Sequence, residues 1–129
     1  SYMVWTENTS KVTKMKRKLG IQGEEMAAMY LTKNGYQIIT RNYYTRYGEL
    51  DIICEKNNTI IFVEVKTRTS TRYGLPQEAV TNMKIAHLKK AAMIYLNSLN
   101  KRYREIRFDV IAILITGEKN EISHIIGAF

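Results

Sequence analysis

Cysteine is almost absent from these 129 residues: Cys54 stands alone. No intrachain disulfide is therefore possible, and no CxxC or Cys/His cluster exists to hold structural zinc. Long hydrophobic runs are missing too. The most apolar stretches, such as Val110 to Ile115, fall far short of a membrane span. No basic-then-apolar leader is visible, so a soluble cytoplasmic protein that does not engage a membrane by insertion is expected. The chain has no GxGxxG, P-loop or GxSxG string, which leaves nucleotide-dependent and serine-hydrolase chemistry without support. Internal repeats, low-complexity tracts and interdomain linkers are also lacking. Acidic residues are few, 12 Asp and Glu against 20 Lys and Arg, and the formal net charge is +8. Such a surface attracts polyanions, so nucleic acid or an anionic membrane surface is the first partner class to test.

What remains is ordinary globular composition, 45% hydrophobic and 25% charged, at a length that suits one domain. Residues 1–17 are set apart as an amino-terminal arm or tag remnant, and residues 18–129 as a single domain. Leu19, Gly23, Met26, Ala27, Tyr30 and Leu31 recur at helical spacing from Leu19 to about Lys33, and Asn34-Gly35 supplies a stop. Tyr36 to Thr40 reads as a short strand, with Arg41 to Tyr47 as its margin and a loop. Gly48 to Glu55 and Thr59 to Thr67 read as a hairpin around Lys56-Asn57-Asn58. A helix from Thr81, a plausible N-cap, to Leu99 follows the loop at Gly74 and Pro76. Strands at Ile106 to Thr116 and Glu121 to Ile126 complete the chain, the last at a sheet edge. A long helix between strands implies a crossover to a parallel neighbour. The expected fold is α/β (α+β in some schemes): one mixed sheet flanked by two helices, in the order αβββαββ.

The anomaly lies in the central hairpin. Residues two apart in a strand share a face, so Glu49 pairs with Asp51 in direction, and Glu64 with Lys66. Their neighbours are Leu50, Ile52, Ile53, Val63 and Val65. A buried carboxylate must be paired or bind a metal. Oxygen-rich acidic sites suit Mg²⁺ or Mn²⁺, and a lysine beside one can orient or deprotonate water and steady charge on a phosphate. Spacing alone leaves two readings open: such a hydrolytic site, or an exposed strand face of weak ion pairs worth ~0–1 kcal/mol each.

Gly48-Glu49-Leu50-Asp51-Ile52-Ile53, followed by Phe62-Val63-Glu64-Val65-Lys66-Thr67-Arg68, resembles the D…(D/E)xK core of the PD-(D/E)xK nucleases. More closely, the chain is similar to the YraN-like family of bacterial proteins, itself similar to archaeal Holliday junction resolvases. The resemblance runs from about Lys18 to Phe129. It takes in Gly23-Glu24-Glu25, Arg41-Asn42-Tyr43, Glu78-Ala79-Val80-Thr81 and Arg107-Phe108-Asp109-Val110. It implies a restriction-endonuclease-like core and a Mg²⁺- or Mn²⁺-dependent DNA endonuclease acting on branched DNA as a homodimer. Glu24 (or alternatively Glu25), Asp51 and Glu64 would be the metal ligands and Lys66 the catalytic lysine, with Glu49 assisting. The place of the superfamily's proline is taken by Leu50.

Arg41, Arg46, Arg68 and Arg72, interleaved with Tyr47 and Tyr73, are the candidate DNA-facing rim, or else a normal solvated loop surface. Lys101, Arg102, Arg104 and Arg107 are read as cations favoured at a helix C-terminus. His87, His124 and Cys54 are expected to be structural or exposed, without metal partners. The competing functions are a nucleic-acid-binding module that keeps the fold without cleaving, and a protein-interaction domain whose charge merely aids solubility.

Overall fold

The structure, a computed structural model, describes residues 2–72 and 74–129, and side chains from residue 10 onward. Eight elements follow in order: helix α1 (Tyr2–Lys33), strands β1 (Gln37–Thr45), β2 (Gly48–Lys56) and β3 (Thr59–Arg68), a 3₁₀ turn at Pro76–Ala79, helix α2 (Asn82–Asn97), and strands β4 (Glu105–Ile115) and β5 (Asn120–Ile125). The five strands form one sheet in sequence order. β1, β2 and β3 are antiparallel neighbours, β4 runs parallel to β3, and β5 returns antiparallel at the edge. The expected mixed sheet flanked by two helices is what forms.

The turn chemistry acts where the sequence places it. Asn57 and Asn58 both take positive φ, 52° and 60°, as the two-residue turn of a right-twisted hairpin requires. Gly35, at φ 86°, ends α1, and Tyr36 N–H closes back on Leu31 O at 3.0 Å. Thr81 caps α2 by accepting from Lys84 N–H at 3.2 Å.

Two boundaries differ from the sequence reading. α1 begins at Tyr2 rather than Leu19. The side chains of Ser10–Lys18 are exposed all round, so no buried apolar stripe marks this part of the helix in the sequence. The side chains of Tyr2, Met3, Val4 and Trp5 lie outside the described residues. β1 continues through Arg41 to Thr45 because Arg41 and Tyr43 pair with Ile52 and Leu50; its polar composition reflects a half-exposed edge strand.

The sheet is buried on both faces at its centre. Ala27 and Leu31 of α1 pack on Ile52, Cys54, Ile61, Val63, Ile111 and Ile113. Leu88, Ala91, Ala92 and Tyr95 of α2 pack on Leu50, Ile53, Ile60 and Phe62. Strands covered on both sides read as continuous hydrophobic runs, which is why β3 and β4 lack polar alternation. The fully buried carboxylate of Asp109 is satisfied within this frame. Arg107 grips it through Nε and Nη2 at 2.9 Å each, His124 Nε2 lies at 2.7 Å, and Gly127 N–H donates at 3.0 Å. Arg107 is therefore a β4 residue joined to its own strand neighbour, not a cation at the end of α2, which stops at Asn97. His124 is structural, as the sequence reading allowed.

Candidate metal centre

Along β2 and β3 the ladder pairs Lys56 with Thr59 and runs up to Ile52 opposite Val63, where it stops. Beyond that point β2 stays with β1 as far as Gly48, and β3 stays with β4 as far as Arg68. The two strands thus fork. Asp51 sits in the fork, and its Oδ2 accepts Val65 N–H at 2.9 Å, replacing a ladder bond with a side-chain one. Glu64 lies just past the fork on the α2 side and Lys66 follows it two residues on, half-buried on the same face.

α1 contributes Glu24 through the residue before it. Gly23 is buried against β3, and a Cβ there would lie 1.9 Å from Thr67 Oγ1. Only glycine lets the helix come this close, and this approach brings the next side chain to the fork. Glu24, Glu49 and Asp51 each place a carboxylate oxygen within 4.8 Å of the others. Asn42 of β1, held at φ 53°, donates its amide to both Glu24 and Glu49. Glu25, the alternative to Glu24, points elsewhere and pairs with Arg41 at 3.1 Å.

The electrostatics are those of negative charge short of compensation. Burial first, then the charge of Glu64, pushes the Asp51 carboxyl up to about 8, against the opposing Val65 hydrogen bond. Burial also raises Glu24, with Asp51 and Glu49 adding to the shift and Asn42 opposing it. Glu64 is 5% exposed, and its Oε2 is buried without a hydrogen-bond partner. Lys84 Nζ, 4.0 Å away, is its ion-pair neighbour. Partly buried carboxylates this close, with Asp51 pushed up and Glu64 Oε2 lacking a hydrogen-bond partner, fit a hard divalent cation bound through oxygen. The exposed-face alternative does not hold, since neither Glu64 nor Asp51 is paired as that reading required.

The sequence candidates divide accordingly. Glu24, Glu49 and Asp51 come together, with Glu64 against Asp51 on the far side, outside the close trio. Around them, Arg46 lies over the Tyr47 ring at 5.0 Å in the β1–β2 turn. Arg68 is exposed at the end of β3 and donates to Thr67 O; Arg72 is exposed in the following loop. Arg41 is committed to Glu25. Tyr73 lies outside the described residues. Two residues at the site carried no role in the sequence reading. Asn42 had a usable signal, being an αL-tolerant residue in a strand-like stretch. Lys84 had none, because its contact with Glu64 spans two elements. Cys54 is buried, its thiol pushed up to about 12 by burial, and takes no part.

Comparison with known proteins places the chain. Residues 23–113 match the family model described as uncharacterised protein family UPF0102. A UPF0102 protein from Syntrophomonas wolfei is 59% identical over 115 residues, covering 89% of this chain and all of the relative. Another from Chlorobium phaeobacteroides is 55% identical, covering 80% of this chain and 81% of the relative. A third, from Caldanaerobacter subterraneus, is 43% identical over 88% of this chain and 96% of its own length. The matched span contains Glu24, Glu49, Asp51, Glu64, Lys66 and Lys84. The chain belongs to the UPF0102 family, the YraN-like proteins its motifs resemble.

Proposed function

We propose that this protein is a Mg²⁺- or Mn²⁺-dependent DNA endonuclease that hydrolyses phosphodiester bonds, with branched, Holliday-junction-like DNA as its substrate and a homodimer as its working form. The observation that carries the reading is the fork itself: Glu24, Glu49, Asp51 and Glu64 converge where two hydrophobic strands part, in a chain of net charge +8. Among the described ion pairs none joins a lysine or arginine to Glu24, Glu49 or Asp51: Arg41 is bound to Glu25 and Lys84 to Glu64, while burial and the charge of Glu64 push the Asp51 carboxyl up.

In this reading Asp51 and Glu64 hold the ion, with Glu24 completing the set and Glu49 held ready by Asn42. A bound divalent ion supplies charge neutralisation at the phosphate. Lys66 stands two residues from Glu64 on the same strand face, where its ammonium orients the attacking water and steadies charge building on the phosphoryl oxygens. The arginines of the rim, Arg46, Arg68 and Arg72, contact backbone phosphates, with Tyr47 against sugars or bases.

The test is cleavage of linear, flapped and four-way DNA with Mn²⁺. Wild type is expected to nick one or more substrates, and Lys66→Ala to lose at least ~10²-fold in rate while still binding Mn²⁺ in calorimetry. Equal cleavage by the variant would show that Lys66 is not used. DNA binding without cleavage of any substrate would favour a non-catalytic nucleic-acid-binding module.

A further inference from the structure

The sequence points to arginines as the DNA-facing cations, but the structure sets a different group beside the carboxylates. A small cleft lined by Tyr47, Glu49, Lys84 and His87 opens between the β1–β2 turn and α2. It shares Glu49 with the acidic trio. We propose that α2, through Lys84, His87 and Lys90, forms with Arg46 and Tyr47 the phosphate-binding wall along which a DNA strand enters the site. The proposal rests on the nuclease reading and assigns the side from which substrate arrives.

Three observations support it. First, Lys84 Nζ forms only a long ion pair with Glu64 Oε2, at 4.0 Å and beyond hydrogen-bond distance, and its side chain is 40% exposed. It lines the cleft, where an anion could approach it as well. Second, Lys90 Nζ and Arg46 Cζ lie 5.2 and 5.0 Å from the centre of the same Tyr47 ring. The ring attracts each cation, so Tyr47, which lines the cleft, gathers two positive charges beside it. Third, no acidic residue occurs between Glu78 and Glu105, so α2 has no carboxylate of its own to neutralise Lys84 or Lys90. Other cations sit closer to their carboxylates, Arg41 to Glu25 at 3.1 Å, Lys101 to Glu55 at 3.3 Å and Arg107 to Asp109 at 2.9 Å, against 4.0 Å for Lys84 and Glu64. Lys84, His87 and Lys90 follow one another at a spacing of three residues, a ridge that advances roughly 9 Å along the helix and turns by ~120° around it.

The experiment measures DNA affinity against salt concentration by fluorescence anisotropy, using a labelled four-way junction and a linear duplex in EDTA. The Lys84→Gln/Lys90→Gln double variant is expected to reduce the slope of log K against log salt by about 1.8, near 0.9 for each lost contact. Lys84→Arg/Lys90→Arg should restore it, and Lys33→Gln, at the carboxy-terminal end of α1 by the opposite end of the sheet, should leave it unchanged. An unchanged slope in the glutamine variant, or an equal fall in Lys33→Gln, overturns the wall. If wild type cleaves DNA while the glutamine variant keeps its slope, the wall falls and the nuclease reading stands. If wild type binds neither DNA, both fall.

Discussion

Asp51 is the residue whose substitution tests the charge argument most directly, because it needs no substrate. Its carboxyl moves from an ordinary 3.8 to about 8, driven by burial and then by Glu64. A carboxyl with a raised folded-state pKa binds a proton that the unfolded chain has already released. Between about pH 4 and 8 the native state therefore binds more protons than the unfolded state, and stability falls as pH rises. About 4 units at ~1.4 kcal/mol each set an upper bound near 6 kcal/mol. Sharing of the proton with Glu64 brings the expected loss to roughly 2–4 kcal/mol. Urea denaturation in EDTA from pH 5 to 8.5 should show wild type losing this amount. Asp51→Asn keeps an oxygen for Val65 N–H, cannot ionise, and should be nearly flat over the same window. Added Mn²⁺ should stabilise wild type more at pH 8 than at pH 5, since the ion requires the deprotonated carboxylates. A flat wild-type profile, or an Asp51→Asn protein that loses as much, would refute the claim that the fork holds uncompensated negative charge.

Two further substitutions probe how the frame delivers the site. Asp109→Ala removes the acceptor for Arg107, His124 and the Gly127 N–H, and should cost ~3–5 kcal/mol in urea denaturation; a loss under ~1 kcal/mol would mean the network does not secure the carboxy-terminal segment. Gly23→Ala places a Cβ 1.9 Å from Thr67 Oγ1 and should cost ~1–3 kcal/mol while weakening Mn²⁺ binding, because Glu24 moves with the helix. Thr67→Ala in the same chain should recover part of both, as read by calorimetry and denaturation.

Much of this protein was legible in its sequence because local physics carried it. The Asn57-Asn58 turn, the Gly35 stop and the Thr81 cap each act within a few residues and formed where expected. The start of α1 was not legible, since the side chains of Ser10–Lys18 are all exposed and no buried stripe imposes a period on them. The polar half of β1 was missed for the opposite reason: its strand state comes from pairing with β2, a partner outside its own stretch.

The acids themselves were visible as charges among apolar residues, and alternation placed Glu64 with Lys66 and Glu49 with Asp51 on common faces. Alternation is a property of one strand, and it says nothing of where two strands separate. The fork after Ile52–Val63, the approach of Gly23 to Thr67 that brings in Glu24, the bridge of Asn42 and the placement of Lys84 are products of register and helix packing between elements distant in the chain. Periodicity and turn chemistry, which decay over a few residues, determined the elements; contacts over tens of residues decided which carboxylates meet, and which cation stands beside them.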